Sequence, residues 1–185
     1  NGNGAKNIAL GYHSLLTGGG TGNVSIGHQT MEDYTGNYNT AVGFFALREV
    51  TTGASNVAVG FNALDANTTA SFNTGIGSYA LDGNTTGENN TAVGYASLGV
   101  NTVGHSNTAL GSEAGRATSD GDQNTAIGFF ALRYNTEGNQ NIGIGDHAGY
   151  NITTGDSNII IGSGSRGEAA ISNQLRIGYN NITTI

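Results

Sequence analysis

Ten copies of one five-residue phrase recur along this chain at a nearly constant spacing. Each copy reads Asn, any residue, a residue that is small in nine of the ten, an aliphatic residue and Gly, and successive copies start 16 or 17 residues apart. The copies begin at Asn7, Asn23, Asn39, Asn56, Asn73, Asn90, Asn107, Asn124, Asn141 and Asn158, and a weaker eleventh copy covers residues 174–178. A unit this short cannot enclose a core of its own. It must stack on its neighbours, which predicts a solenoid.

Composition excludes the other architectures of Gly-rich chains. The 185 residues include 32 Gly and no Pro, which is incompatible with collagen. Charged residues make up only 10%, and the regular aliphatic row indicates burial rather than disorder. A formal net charge of −7 disfavours nucleic acid and anionic membrane surfaces as partners. The chain has no Cys, so it forms no disulfides. It has no apolar run approaching ~20 residues, so we expect no membrane insertion.

Two positions of the repeat, numbered from its Asn, are conspicuously uniform. Position 4 is always aliphatic, which predicts a structural core ladder: Leu10, Ile26, Val42, Val59, Ile76, Val93, Leu110, Ile127, Ile144 and Ile161. Position 5 is always Gly, at Gly11, Gly27, Gly43, Gly60, Gly77, Gly94, Gly111, Gly128, Gly145 and Gly162. A Gly repeated in this way predicts a bend with positive φ, or a backbone approach that a Cβ would block.

The remaining positions complete one turn. Position 2, which is Thr, Val or Ile, shares the face of position 4 in a strand and is therefore expected to point inward with it. Position 3 lies on the opposite face and is small except at Ile160. Position 9 carries a further apolar row, at Leu15, Leu47, Leu64, Leu81, Leu98 and Leu132. Each unit reads as strand, Gly bend, second short strand and polar turn. The sequence predicts an all-β parallel β-solenoid with one ~17-residue turn per layer, a rod roughly 50 Å long.

This assignment of faces has consequences for mutations and for assembly. Asp in place of Val59 or Val93 is expected to disrupt folding locally, and changes at Asn84 or Thr85 in the turn are expected to be mild. A 17-residue turn has room for two or three inward side chains, so positions 3 and 9 should not both fit inside. At least one of them, with the position-9 leucines as candidates, is expected to form a chain–chain contact in a homotrimer.

The phrases Asn39-Thr40-Ala41-Val42-Gly43, Asn90-Thr91-Ala92-Val93-Gly94 and Asn124-Thr125-Ala126-Ile127-Gly128 resemble the head repeats of trimeric autotransporter adhesins, the YadA-like heads. The longer unit of residues 39–47, followed by Thr51-Thr52-Gly53, is similar to repeat regions of bacterial and phage fibre proteins that often end in a self-cleaving chaperone. The resemblance covers about residues 5 to 178. It implies a left-handed β-roll in a homotrimer, although the period of YadA-like heads is shorter.

A Gly-rich motif near the end of the chain invites a nucleotide-binding interpretation. Gly162-Ser163-Gly164-Ser165-Arg166-Gly167 matches the dinucleotide fingerprint and follows an apolar run. Gly162, however, is position 5 of the tenth copy, in register with nine other Gly residues. The acidic residue expected about 20 residues later is missing. We therefore interpret the motif as part of the repeat and expect no cofactor.

The titratable residues do not form a recognisable site. The histidines are His13, His28, His105 and His147, and they lack the spacing of metal ligands, although a trimer axis could gather three copies of one His around an ion. The acidic candidates for calcium or acid–base chemistry are Asp65 and Asp82 in adjacent units, Asp120, Asp122 and Asp156. No nucleophile, second acid or EF-hand spacing accompanies them. Turn residues are the favoured interpretation, with no catalytic or metal site.

Two other features concern the surface. Asn-X-Ser/Thr sequons, which arise readily in this composition, occur at Asn23, Asn67, Asn84, Asn89, Asn151 and Asn181. The sequence Phe-Phe-Ala-Leu-Arg occurs twice, at residues 44–48 and 129–133. Adjacent Phe residues in a strand point to opposite faces, so one of each pair should be buried. The other is expected at a chain–chain contact, with carbohydrate stacking as the alternative.

These observations favour a non-enzymatic structural or adhesive segment of an extracellular trimeric fibre, on a cell or virion surface. Neither end of the pattern carries a polar cap, so we expect one repeat domain, residues 1–185, cut from a longer fibre and joined end to end with further segments. The partner classes left open are a host glycan and a host protein, with no receptor-binding residue assigned. The alternative is an ice-binding solenoid with Thr and Asn ladders. An enzyme such as a depolymerase is least favoured.

Overall fold

The chain folds as a parallel β-solenoid in a computed structural model that describes residues 6–17 and 20–178. Each repeat contributes one three-residue strand to a single 11-stranded sheet, whose strands follow chain order. Within the described residues there is no helix. The strands are β1 (Ile8–Leu10), β2 (Val24–Ile26), β3 (Thr40–Val42), β4 (Val57–Val59), β5 (Thr74–Ile76), β6 (Thr91–Val93), β7 (Thr108–Leu110), β8 (Thr125–Ile127), β9 (Ile142–Ile144), β10 (Ile159–Ile161) and β11 (Leu175–Ile177).

The strands pair in the register that the repeat predicts. In β6 and β7, for example, Thr91 pairs with Thr108 and Val93 with Leu110, so position 2 meets position 2 and position 4 meets position 4. The weak eleventh copy also forms a layer, because Leu175 pairs with Ile159. One turn of 16 or 17 residues per layer is therefore confirmed.

The Gly at position 5 serves both purposes expected of it. Its φ lies between +123° and +143° in all ten copies, a range that residues with a Cβ rarely adopt. The bend also brings adjacent layers together. A Cβ on Gly94 would lie 2.5 Å from the carbonyl oxygen of Gly111 in the next layer.

The inner face of the sheet carries position 3, not position 4. Ala41 and Ala58 are completely buried, whereas Val42 and Val59 beside them are only half-buried and Leu10 is 67% exposed. The predicted core ladder is therefore wrong for this chain, since all its members lie on the outer face: Leu10, Ile26, Val42, Val59, Ile76, Val93, Leu110, Ile127, Ile144 and Ile161. Position 2 was also expected to point inward, and it shares this outer face.

The position-9 leucines fill the interior of the turn, beside the small residues at position 3. Leu15, Leu47, Leu64, Leu81, Leu98 and Leu132 are all buried inside the single chain, so their assignment as a chain–chain contact is wrong. The two rows fit together by volume. A Cβ on Gly75, at position 3, would lie 3.3 Å from Cγ of Leu64, which is tighter than ordinary packing distance. A large residue at position 9 thus requires a small one at position 3.

The predicted second strand of each unit does not form within the described residues. After the Gly bend, residues such as Tyr79 (φ +61°) and Leu81 (φ +53°) have a left-handed backbone. The residue before the position-1 Asn does as well, for example Phe72 (φ +62°) before Asn73. Left-handed non-Gly residues are costly. Stacking compensates through interlayer hydrogen bonds: the Tyr79 N–H donates to the Phe61 carbonyl at 2.9 Å, and the Leu81 N–H to the Ser97 carbonyl at 3.0 Å.

Two buried asparagine ladders close the turn. The position-1 Asn residues are linked layer to layer through their side-chain oxygens. A second ladder runs through the turn, where Asn101 Nδ2 donates to Asn84 Oδ1 at 2.7 Å and Asn84 Nδ2 donates to the Gly87 carbonyl at 3.0 Å. Because Asn84 is fully buried and hydrogen-bonded, it is not the exposed turn residue that the sequence suggested, and we now expect its substitution to be destabilising.

Candidate interaction surfaces

The outer face of the sheet is a long, uncharged surface. Positions 2 and 4 of all eleven strands carry only Thr, Val, Ile or Leu. The most exposed of these residues lie near the two ends, with Leu10 67% and Ile177 51% exposed. In the central layers Ile76 and Leu110 are each 39% exposed. At the strand spacing of ~4.8 Å this face extends roughly 50 Å, which is large for an apolar patch on a monomer.

The middle of this face carries a row of threonines. Thr74, Thr91, Thr108 and Thr125 occupy position 2 of four consecutive strands and are half-buried on the outer side. The expectation that position 2 points inward is therefore wrong for these four residues, and on the outer side they could contact ice.

An aromatic column runs beside the Gly bends. Positions 6 and 7 contribute rings whose centroids follow one another at 4.6 to 6.0 Å, from one layer to the next. The column contains Tyr12, His28, Phe44, Phe61, Tyr79 and Tyr95. The column could have been predicted from the sequence, because aromatic residues recur at positions 6 and 7 of successive repeats. Only the two Phe pairs were predicted as surface features.

The two Phe pairs do not split between faces. The rings of Phe44 and Phe45 lie 4.2 Å apart and those of Phe129 and Phe130 lie 3.8 Å apart, with no member buried. The prediction that one ring of each pair is buried is wrong, because Phe45 (φ +59°) and Phe130 (φ +56°) are left-handed. A left-handed residue breaks the alternation of a strand and leaves both rings on the same side.

Charged and phenolic groups surround the second pair. The Arg133 guanidinium lies 4.2 Å from the Phe130 ring centroid, and its Nη2 lies 2.7 Å from Glu113 Oε2. The Tyr150 hydroxyl donates a hydrogen bond to the Tyr134 hydroxyl at 3.2 Å. This bond lowers the pKa of Tyr150 and raises the pKa of Tyr134. Most polar groups of the cluster therefore have partners within the chain, whereas Arg133 Nε is buried without a hydrogen-bond partner.

An ion pair between a partly exposed Arg48 and a buried Asp65 lies at position 10 of neighbouring layers. Arg48 Nη2 lies 3.0 Å from Asp65 Oδ2, while Asp65 Oδ1 is buried without a hydrogen-bond partner. Burial raises the pKa of Asp65 to about 6, against the opposing effect of Arg48, and the charges of Asp82 and Glu49 raise it further. Burial likewise raises the pKa of Asp82. The two carboxyl groups interact electrostatically across adjacent layers.

The other titratable candidates have structural partners. His13 Nδ1 lies 2.7 Å from Glu32 Oε1, and His147 Nδ1 lies 2.9 Å from Asp146 Oδ1. The His28 ring is stacked within the aromatic column, although its Nδ1 is buried without a hydrogen-bond partner. Residues 6–17 and 20–178 contain no group of three His, Cys, Asp or Glu residues that could hold a metal ion.

The turn acids belong to a third interlayer ladder. Asp122 Oδ1 accepts the N–H of His105 at 2.6 Å, and Asp156 Oδ1 accepts the N–H of Asn139 at 2.7 Å. Asp122 in turn donates its own N–H to Asn139 Oδ1 at 2.8 Å. These carboxylates therefore satisfy backbone donors of the preceding layer.

The Gly-rich motif and the sequons are explained by the same stacking. Gly162 forms the tenth bend, with φ +123°, and no helix follows the motif in the part of the chain that the structure describes. Among the sequons, Asn23, Asn67 and Asn84 are fully buried, and only Asn89 and Asn151 have exposed side chains. Asn181 lies outside the described residues. Folding therefore closes three of the sequons to modification.

No helix of the described residues is long and apolar enough to cross a membrane. The chain matches no family model, no curated protein and no solved structure.

Proposed function

We propose that this chain is a non-enzymatic segment of an extracellular trimeric fibre, in which three rods pack through the outer face of the sheet. The observation that carries the proposal is the uncharged outer face formed by positions 2 and 4, in which position 4 is aliphatic in every layer. Leaving Leu110 and Ile76 in water along its centre would forgo the hydrophobic stabilisation that burial provides, roughly 25 cal/mol per Å² of apolar surface.

A second and third copy of the chain are the occupants that best match this face. Its rows repeat once per layer, so an identical rod in parallel register presents the same period along the whole length. The face carries no charge that would repel its own copy. The number of three, and a left-handed roll, come from the resemblance to YadA-like heads. Such a rod would act on a cell or virion surface as a rigid spacer.

Ice binding is the second candidate, and it uses the same face. The observation in its favour is the row Thr74, Thr91, Thr108 and Thr125, which points outward at strand spacing beside an aliphatic row. A face buried between chains is not available to ice, so the two functions exclude each other and assembly decides between them.

The test is the mass of the chain in solution, measured by light scattering and sedimentation equilibrium. We expect three times the chain mass of 18.7 kDa. Because Val93 lies on the outer face and not in the core, Val93→Asp is no longer expected to disrupt folding. It should instead shift the mass towards that of the single chain, because it places a charge between packed rods. Val103→Asp is the matched control. Val103 is 42% exposed in a turn outside the sheet and should leave the mass unchanged.

A folded monomer at micromolar concentration would contradict the trimer. If that monomer also produced thermal hysteresis in freezing water, and Thr108→Asp abolished it, the ice-binding candidate would take its place. Circular dichroism of each variant confirms that the solenoid is intact.

A further inference from the structure

One layer of the solenoid has smaller side chains at positions 7 and 10 than the layers on either side of it. In the layer of residues 90–106 these positions are Ala96 and Gly99. The layer before has Tyr79 at position 7 and Asp82 at position 10. The layer after has Glu113 and Arg116 there, so two small residues lie between two layers of large ones.

The result is a notch in the surface, with a volume of about 310 Å³. Asp82 lines it from one adjacent layer and Arg116 from the other, and Gly99 lies between them. The rings of Tyr79 and Tyr95 meet at 83° with centroids 6.0 Å apart, so they form an aromatic corner. The volume is at the small end of the range of ligand pockets, ~300–1,000 Å³.

The lining groups have capacity for a ligand. Tyr95 is 54% exposed, so most of its ring is free to stack. The nearest partner of the Arg116 guanidinium is Glu113, at 3.6 Å from its Nε, which is a loose contact. The notch thus offers an aromatic face, a carboxylate that accepts hydrogen bonds and a guanidinium that donates them.

We propose that this notch binds one neutral pyranose ring of a surface saccharide. The apolar C–H face of the sugar stacks on Tyr95, its hydroxyl groups donate to Asp82, and its oxygens accept from Arg116. A neutral sugar fits better than an acidic one, because the Asp82 carboxylate lines the notch together with Arg116 and the chain carries a net charge of −7. The inference deepens the proposed function, on which it rests for its biological role, by naming what the fibre would contact.

The experiment is saturation-transfer NMR on the full chain in its native assembly. The probes are methyl β-D-glucopyranoside, methyl β-D-galactopyranoside and methyl α-D-mannopyranoside, with N-acetylneuraminic acid as the acidic comparison. We expect at least one neutral glycoside to bind with a dissociation constant on the order of 1 mM. Tyr95→Ala and Asp82→Asn should each weaken that binding by about tenfold or more.

Gly99→Arg is the sharpest variant, because it fills the notch without a new backbone conformation. Arg48, Arg116 and Arg133 already occupy this position in three other layers, and Gly99 has no left-handed φ. We expect it to abolish binding while circular dichroism stays unchanged. Phe129→Ala, which removes an exposed ring from the other aromatic cluster, is the control that should bind normally.

The results separate this inference from the fibre proposal. A trimer that binds none of the neutral probes, or binds them equally well as Gly99→Arg, overturns the notch and leaves the fibre standing. Stronger binding of the acidic sugar than of every neutral one overturns the neutral class. A monomer whose neutral-sugar binding is lost in Gly99→Arg supports the notch and overturns the trimer.

Discussion

The backbone N–H of Asn107 donates a hydrogen bond to Oδ1 of Asn90, one turn earlier in the solenoid, at 2.9 Å. Asn107 Oδ1 then accepts the N–H of Asn124 at 2.9 Å, and its Nδ2 donates to the Gly121 carbonyl at 2.8 Å. Each Asn therefore joins its own layer to both neighbours and closes its turn. This explains why no other residue occupies position 1 in ten copies.

Asn107→Ala should be strongly destabilising. It leaves the N–H of Asn124 and the carbonyl of Gly121 without their partners in a buried site, at a cost of about 2–4 kcal/mol in the free energy of unfolding. Urea denaturation followed by circular dichroism measures the change. Asn151→Ala, at an exposed Asn, is the control and should change the free energy by less than about 0.5 kcal/mol. Equal losses from both substitutions would contradict the structural role of the ladder.

The register of the solenoid could be predicted from the sequence because three position types repeat together. Asn at position 1, an aliphatic residue at position 4 and Gly at position 5 each have one stereochemical use per turn, and all three recur at the same spacing. Strand pairing, the Gly bend and the eleventh layer followed from that period alone.

The faces could not be predicted from hydrophobicity, because both sides of these short strands are apolar. The sequence feature that distinguishes the inner face from the outer face is the size of the side chains at positions 3 and 9. Where position 9 is Gly149 instead of Leu, the next strand carries Ile160 at position 3, and Ile160 and Ile152 are both buried. This large-for-small exchange indicates that positions 3 and 9 pack together inside one chain, although Gly115 at position 9 is followed by the small Ala126. The notch beside Gly99 could not be predicted for a different reason: it forms where one layer has small residues, and no motif marks it.

Leu81→Ala and Leu110→Ala form a matched pair that tests the corrected faces. Leu81 is buried in the core, so its truncation should cost about 2–5 kcal/mol at every protein concentration. Leu110 is 39% exposed in the single chain, so its truncation should lower stability mainly where the rods associate. Urea unfolding over a hundredfold range of protein concentration separates the two effects. If both variants lost the same unfolding free energy, independently of protein concentration, the original assignment of position 4 to the core would be supported instead.

Gly94→Ala should destabilise the chain at the bend. The substitution forces a residue with a Cβ to φ +134° and places that Cβ 2.5 Å from the Gly111 carbonyl oxygen. The conformational strain alone is about 1–3 kcal/mol. Gly99→Ala is the control, since its φ is not left-handed and its new Cβ would lie 3.1 Å from the nearest backbone atom. Thermal unfolding compares them. A Gly94→Ala variant as stable as the control would mean that the bend tolerates other residues.

Stability should fall as the pH rises from about 4 to about 6, because of Asp65. Burial raises the pKa of Asp65 from its ordinary value of 3.8 to about 6 in the folded chain. The folded state therefore binds this proton more tightly than the unfolded state does, and folding loses that advantage once the pH passes the folded pKa. Thermal unfolding between pH 4 and pH 7 should show the decline, and Asp65→Asn should reduce it. Burial also raises the pKa of Asp82, so part of the slope should persist until Asp82→Asn is added. Asp120→Asn, at an exposed turn, is the control and should keep the slope of the unmodified chain. A decline that Asp65→Asn leaves unchanged would show that the Arg48 pair keeps Asp65 ionised throughout this range.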